Sequence, residues 1–389
     1  MPANRVLLLV LACVRSATQL PTALAEDLSV GQQPTLEADA LVARPECAIT
    51  VFNNPAVQGK LYNPYKDEHI PLKGFPWVKV QLEELPSDGP VSLRLVVCDS
   101  SHQVISERSE VLSPKGRTVI WPVTYDHPLV HPLVAELDAT QGERGWHFAQ
   151  ETRLHRLSGR VTDFDGAPVA AFVVAIGYDG LAALAGADGN YEIWLPEVPL
   201  PSLVVVDQQY GSGRIETWVY GYHPRHDLQL NVRMGEIEVY ELQAWRANCG
   251  LKADFIPLSL GLANRLREAM GEDFSTSAFN RLFGSLVDAK AFLNREDIAV
   301  DLDGEPLRVT GSWERQDLLP GGKTEAEQSR PEYSLQLTDK TVTGKPGTTQ
   351  VLRLTITRQR VDGDRIATER GEGYYLGLRS GWTAVVAGP

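Results

Sequence analysis

The sequence predicts a mainly β protein: antiparallel β-sandwiches in tandem, followed by a C-terminal α+β unit. Three observations carry that prediction. Short apolar runs punctuated by Pro and Gly fill residues 40–246, two segments after residue 247 have helical spacing, and Asp-Gly pairs separate alternating runs near the C-terminus. At 389 residues the chain can bury several cores of ordinary domain size. Its 43% apolar and 22% charged residues are those of a chain that folds, even with 25 prolines and 33 glycines.

Residues 1–25 read as a targeting segment. Arg5 supplies the positive start, "VLLLVLACV" at 6–14 the apolar stretch, and Ala23-Leu24-Ala25 a small-residue cleavage site before Glu26. The apolar stretch falls far short of the roughly 20 residues that span a bilayer, so it predicts export rather than a transmembrane anchor. A rival reading shares the stretch: Val10-Leu11-Ala12-Cys13 resembles a bacterial lipoprotein signal, in which Cys13 would be lipidated and become the new N-terminus. Membrane contact is then expected only through that N-terminal lipid. Either way the expected location is secreted, periplasmic or attached to the cell envelope.

Over 26–156 the runs "AITVF", "WVKVQL", "VSLRLVVCD", "RTVIWPV", "LVAEL" and "GWHFAQETRL" read as the short strands of an immunoglobulin-like sandwich. "HPLVHPL" at 127–133 cannot be helical, because proline breaks the ladder and restricts the residue before it. Cys47 and Cys98 lie in strand-like runs at a spacing suited to pinning two sheets together, and a disulfide between them is the expectation. The competing reading is two buried thiols. Cys249 is then left over, without a neighbouring group that would activate it, and there is no CxxC or zinc pattern.

Over 157–246 the alternation sharpens. "LQLNVRM" at 228–234 places Leu228, Leu230, Val232 and Met234 on one face and Gln229, Asn231 and Arg233 on the other. "FVVAIG" and "SLVVVD" are continuous apolar runs, expected as strands covered on both faces. "LSGRVTDFDGAPVAAFVVAIGYDG", then "GADGNYEIWLP" and "LVVVDQQYGSGRIETWVYGY", together resemble the carboxypeptidase regulatory-like domain of the transthyretin-like, carbohydrate-binding-like β-sandwich superfamily. The resemblance rests on a G-x-V-x-D-x-x-G-x-P-V opening and an A-D-G-x-Y-x-I hairpin at 187–193, with Ala187 where that family usually has threonine. It implies an accessory Greek-key module without catalytic residues of its own.

Residues 247–389 form the α+β unit. "LSLGLANRLREAM" spaces Leu262, Leu266, Ala269 and Met270 as one helical face, and "TSAFNRLFGSLVDA" does so with Phe279, Leu282, Phe283, Leu286 and Val287, after an N-cap at Ser275 or Thr276. Strands return with "DIAVDLDGEPLRVTGSW", "YSLQLT", "VLRLTITRQRVDGDRIATE", "GYYLGL" and "WTAVVAG", with hairpin turns at Asp303-Gly304 and Asp362-Gly363. The polar segment 316–332 is expected as a long exposed loop.

Candidate chemistry is sparse. Asp163, Asp165 and Gly166 open like a calcium loop, but an EF-hand would need glycine where Pro168 stands and glutamate where Val174 stands, so Asp165-Gly166 and Asp188-Gly189 read as hairpin turns. The pairs His127/His131 and His223/His226, the latter beside Asp227, are the weak metal candidates; each lacks a third ligand, and "YHPRHD" reads as a solvated hairpin loop. No GxSxG, HExxH, P-loop or GxGxxG-helix motif occurs, and no cofactor is expected. The eight tryptophans, spread along the chain, read as core anchors. Tyr62, Tyr65, Phe75 and Trp77, interleaved with Pro, Asn and Lys in an expected loop, are the candidate ligand-binding aromatics; plugging the end of the sandwich is their alternative use.

A net charge of −13 without a basic cluster argues against a nucleic-acid partner. By analogy with the family that residues 157–246 resemble, the expected function is a non-catalytic binding or scaffolding protein that presents loops on rigid β-sandwiches to a glycan or protein. The alternative is a secreted carbohydrate-active enzyme, hydrolase or lyase, with its site between the central sandwich and the C-terminal unit. A third option is an assembly subunit pairing through a sheet edge. Mass spectrometry of the exported protein's N-terminus should find Glu26; a lipid-modified Cys13 would select the lipoprotein reading.

Overall fold

The structure is a computed structural model that describes residues 46–52, 60–63, 68–71, 77–83, 89–113, 118–122, 132–176, 181–209, 213–247, 250–261, 293–318, 329–337, 349–362 and 365–378. Outside these residues lie the targeting segment with Cys13, the helical-face residues of both expected helices, Cys249, Tyr65, Phe75, His127 and His131. What is described is mainly β and of sandwich type, with several sheets and no closed barrel.

The early strands are β1 (Glu46–Phe52), β2 (Lys60–Asn63), β3 (Glu68–Pro71), β4 (Trp77–Glu83), β5 (Val91–Cys98), β6 (Val104–Leu112), β7 (Thr118–Pro122), β8 (Leu133–Gln141) and β9 (Arg144–Thr152). β1 and β4–β9 belong to one compact unit, as two antiparallel sheets ordered β1-β4-β7 and β6-β5-β8-β9. Alternation decides which side chains meet. Val91, Leu93, Leu95 and Val97 of β5 are buried beside Leu133, Ala135, Leu137 and Ala139 of β8, and Ile49, Val78, Val80, Leu82 and Val119 are buried in the other sheet.

The same alternation rules out the expected disulfide. Cys98 shares its face with Ser92, Arg94 and Val96, opposite to the buried face of β5, whereas Cys47 shares a face with buried Ile49. No bond joins the two cysteines. Sulfurs aimed at opposite sides of a sandwich wall cannot meet within disulfide geometry. Strand β6 was not legible in the sequence, because it is an edge strand whose residues are mostly exposed.

The second unit contains β2, β3 and β10 (Leu154–Asp163), β11 (Ala171–Ile176), β12 (Ala182–Ala185), β13 (Asn190–Pro196), β14 (Ser202–Asp207), β15 (Thr217–Tyr220), β16 (Leu228–Gln229), β17 (Val232–Met234), β18 (Ile237–Ala247) and β19 (Gly250–Ser259). It continues with β20 (Ile298–Leu302), β21 (Glu305–Leu307), β22 (Val309–Leu318), β23 (Ser329–Leu337), β24 (Leu352–Asp362) and β25 (Arg365–Tyr375). One eight-stranded sheet, β12-β11-β14-β15-β25-β24-β20-β21, runs through it, with smaller sheets β13-β10-β16/β17 and β18-β19-β23-β22 beside it. The two-faced apolar runs are indeed its interior strands: every residue of β14 is buried between β11 and β15.

Several local expectations change. "LQLNVRM" breaks into β16 and β17, both parallel to β10, because Asn231 turns its Oδ1 to accept the Arg160 N–H at 3.0 Å. "YHPRHD" is not a hairpin loop: β15 and β16 lie in different sheets, so the segment crosses between them and buries Tyr222. The polar 316–332 segment is strand at both ends, since Gln316↔Pro331, Asp317↔Arg330 and Leu318↔Ser329 extend the β22/β23 ladder and leave 319–328 between them. The aromatic segment expected as a loop contains the β2/β3 hairpin, with Leu61↔Ile70 and Tyr62↔His69 as cross-strand pairs.

The Asp-Gly turns have the expected chemistry. Asp163 Oδ1 accepts the N–H groups of Asp165 and Ala167 at 3.0 and 2.8 Å, and Gly166 takes φ +86°. Asp303 and Gly304 both have positive φ, as a two-residue turn between β20 and β21 requires. Asp188-Gly189, between β12 and β13, links strands of different sheets rather than forming a hairpin, and so does Asp165-Gly166, between β10 and β11.

One crossing organises this unit. Glu372 of β25 reaches Arg233 of β17, while a Cβ on either neighbour, Gly371 or Gly373, would strike Ile237 or Val239 of β18. Successive strand residues point to opposite faces, so β17 and β18 lie on opposite faces of β25. The chain changes face at Gly235-Glu236, where Ile215 N–H donates to the Gly235 carbonyl and Glu236 N–H to the Arg370 carbonyl, at 3.0 and 2.8 Å. A Cβ on Gly235 would come within 2.1 Å of that Arg370 oxygen.

Two glycine substitutions separate close approach from backbone conformation. Gly371→Ala puts a Cβ 1.9 Å from the Ile237 carbonyl oxygen and should cost about 3 kcal/mol in urea unfolding, as overpacking of a tight contact does. Gly166→Ala meets nothing within 4 Å and should cost only about 1 kcal/mol, for its positive φ alone.

Candidate functional site

At the face change an ionic cluster built around buried Glu372, with half-buried arginines, ties β17, β20, β24 and β25 together. Glu372 has a fully buried side chain; its Oε1 accepts from Arg233, with Nε at 2.8 Å, and from the Thr355 hydroxyl at 3.1 Å. Its Oε2 accepts from the Tyr374 hydroxyl. Arg353 Nε donates to Asp301 at 2.7 Å and stands 4.0 Å from Glu372. Burial, and then the adjacent Glu372 charge, hold the Tyr374 hydroxyl well above the usual tyrosine range. Phe164, in the Asp163–Ala167 turn, lies beneath two guanidinium groups, Arg233 at 4.7 Å and Arg370 at 5.2 Å, and Arg370 pairs with Asp165 at 3.0 Å.

With both Glu372 oxygens engaged, the arrangement clamps strands together. On the other face, buried Glu238 accepts the Glu216 N–H at 2.9 Å, beside Trp218 and Tyr240 with ring centroids 5.7 Å apart. Burial holds the Glu238 carboxyl well above the ordinary carboxylate range.

Two of the weak metal candidates, His226 and Asp227, hold neighbouring backbone groups. His226 Nε2 accepts the Thr349 N–H at 3.2 Å, and Asp227 Oδ1 accepts the Arg156 N–H at 2.9 Å. Among the described residues no three His, Cys, Asp or Glu converge as a metal site. Of the aromatic candidates, Tyr62 stands on β2 opposite His69, and Trp77 opens β4 opposite Phe52 and Pro122.

The exposed surface that the sequence reading missed is the outer face of β18-β19-β23-β22. Its core face carries Ala244, Leu251, Ala253, Phe255, Leu335 and Leu337. Its outer face carries two rows in register across four strands: Trp245, Lys252, Gln336 and Gly311, then Gln243, Asp254, Ser334 and Trp313. Trp245 is 40% exposed and Trp313 53%, whereas Trp218 is a buried anchor of the expected kind. An even scatter of tryptophans in sequence carried no signal that these two share a surface.

No family model matches the chain, and no curated protein matches it. Solved structures similar to it include a candidate carbohydrate-binding protein from Bacteroides uniformis, 10% identical over 56% of this chain and 95% of that one, with a TM-score of 0.18. The group B streptococcus pilus 2b backbone protein is 9% identical over 48% of this chain and 96% of its own, with a TM-score of 0.19. A DUF3823 family protein from Parabacteroides merdae is 10% identical over 57% and 98%, with a TM-score of 0.16. At these TM-scores the likenesses carry no argument about function.

Glu238 makes stability depend on pH with a definite sign. The folded state keeps a proton that the unfolded chain releases above the ordinary glutamate pKa of about 4.3, so this contribution is complete below that value and is lost as pH rises through the folded pKa. Unfolding free energy should therefore fall as pH rises above the ordinary glutamate range toward the raised folded-state pKa, and Glu238→Gln, which cannot ionise, should reduce that fall in urea titrations.

Proposed function

We propose that the chain is an exported, non-catalytic binding or scaffolding protein whose β-sandwiches present flat aromatic surface to a glycan or protein in the cell envelope or outside the cell. The observation that carries this reading is the outer face bearing Trp245 and Trp313. Its exposed indoles are held on ladder-bonded strands, which order them before any ligand arrives. The ionic cluster at the face change supports the same reading, because Glu372 is wholly engaged in holding strands together. The apolar segment at 6–14 supports export, and the −13 net charge is consistent with a partner other than nucleic acid.

In this reading residues 157–246 are the carboxypeptidase regulatory-like module, supplying rigid support. Tyr62, Tyr65, Phe75 and Trp77 remain further candidate ligand-binding residues, each by its residue type. The full chain, screened on a glycan array and in partner pull-downs, should bind a glycan or one envelope protein without altering it. Release of reducing ends or unsaturated products from a bound polysaccharide would overturn the non-catalytic reading and favour the hydrolase or lyase.

A further inference from the structure

We propose that the outer face of β18-β19-β23-β22 is a binding platform for an extended, neutral oligosaccharide, gripped at its two ends by Trp245 and Trp313; this rests on the binding reading above. Both tryptophans owe their exposure to a register slip in an edge strand. In β18 the pairing steps from Tyr240↔Ile256 to Gln243↔Asp254, so two residues, Glu241 and Leu242, oppose one. In β22 it steps from Val309↔Leu337 to Gly311↔Gln336, which leaves Thr310 as the extra residue. Val239 and Val309 belong to the core, so uninterrupted alternation would have driven Trp245 and Trp313 inward as well. Each bulge turns one indole out to solvent.

The bulges are held by specific contacts. Glu241 adopts φ +50°, a conformation unusual for a residue with a Cβ, and donates its N–H to the Tyr220 hydroxyl at 2.9 Å. The Thr310 hydroxyl donates to the Gln336 carbonyl at 3.0 Å. Gly311 completes the arrangement: ring atoms of Trp313 lie 2.8 to 3.3 Å from where its Cβ would stand, so the indole rests over Gly311 and extends toward the Trp245 row. Any side chain at position 311 would lift it.

The chemistry between the indoles selects the ligand. β18 and β22 are three strand spacings apart, about 14 Å, a span suited to an extended chain of a few pyranose units. Sugar C–H faces stack on indole rings, and hydroxyls between them would face the amides of Gln243 and Gln336, the Ser334 hydroxyl, the Asp254 carboxylate and the Lys252 ammonium. One acid and one base between the tryptophans leave the platform formally neutral, which suits an uncharged glycan better than a polyanion. A protein-binding patch would have the reverse arrangement, an apolar centre within a polar rim.

The test uses the full chain and neutral cello-, xylo- and mannooligosaccharides of increasing length, followed by calorimetry and tryptophan fluorescence. Affinity for one series should rise with length until the chain spans both indoles and then level off. Trp245→Ala and Trp313→Ala should each weaken binding about ten-fold, as loss of a stacking ring does, while Trp→Phe at either site retains most of it. Both positions are exposed, so circular dichroism and the urea midpoint should stay unchanged and exclude misfolding as the cause. Glycan binding that survives both alanine variants would overturn this platform and leave the binding reading standing. Capture of a protein that needs both tryptophans, with no oligosaccharide bound, would overturn the ligand class. Failure to bind any glycan or protein would remove the binding reading itself.

Discussion

The second unit depends on a single close contact, the passage of Gly235 past the carbonyl of Arg370. A chain that packs sheets on both faces of one long sheet must change sides somewhere, and every backbone polar group at that point needs a partner. Here Ile215, Glu236 and Arg370 supply them, and Leu260 N–H closes onto the Glu236 carbonyl at 2.6 Å. The packing there leaves no space for a Cβ at Gly235, Gly371 or Gly373, and the last two lie inside β25, where β-propensity disfavours glycine. The eight-stranded sheet can then serve two packing partners, β10/β16/β17 on one side and β18/β19/β23 on the other.

That geometry accounts for the buried ions. Once β25 is covered on both faces, its outward residues have no water to meet, so Glu372 and Tyr374 must satisfy each other, Arg233 and Thr355. An ion pair with one wholly buried member contributes little net stability over apolar packing, but leaving Glu372 unpaired would be costly. The cluster is well suited to setting register: Asn231, Arg233 and Glu372 align only when β17 sits at one position along β25. Phe164, held beneath Arg233 and Arg370, extends the same clamp to the turn after β10.

Much of the strand content was legible, and the places where reading failed share a cause. Interior strands such as β14 declare themselves by unbroken apolar runs, and two-residue turns by Asp-Gly, because both signals are local. β6 gave no signal because an exposed edge strand need not alternate. The Cys47–Cys98 pairing failed because spacing along the chain says nothing about which face of β5 a sulfur takes. The candidate platform was invisible for a sharper reason. Period-2 reasoning carried through Glu241 or Thr310 assigns both exposed tryptophans to the core, and only the pairing partner reveals the extra residue.

By itself, then, the sequence determined the β class, the turn chemistry and the apolar runs that become buried strands, since each depends on neighbours within a few residues. Tertiary structure alone decided which sheet each strand joined, where the chain changed face, that Asp188-Gly189 and "YHPRHD" connect different sheets, and that Trp245 and Trp313 share one surface. Those features depend on contacts between residues far apart in the chain, such as Arg233 with Glu372, and on one-residue slips in register that leave composition and local pattern unchanged.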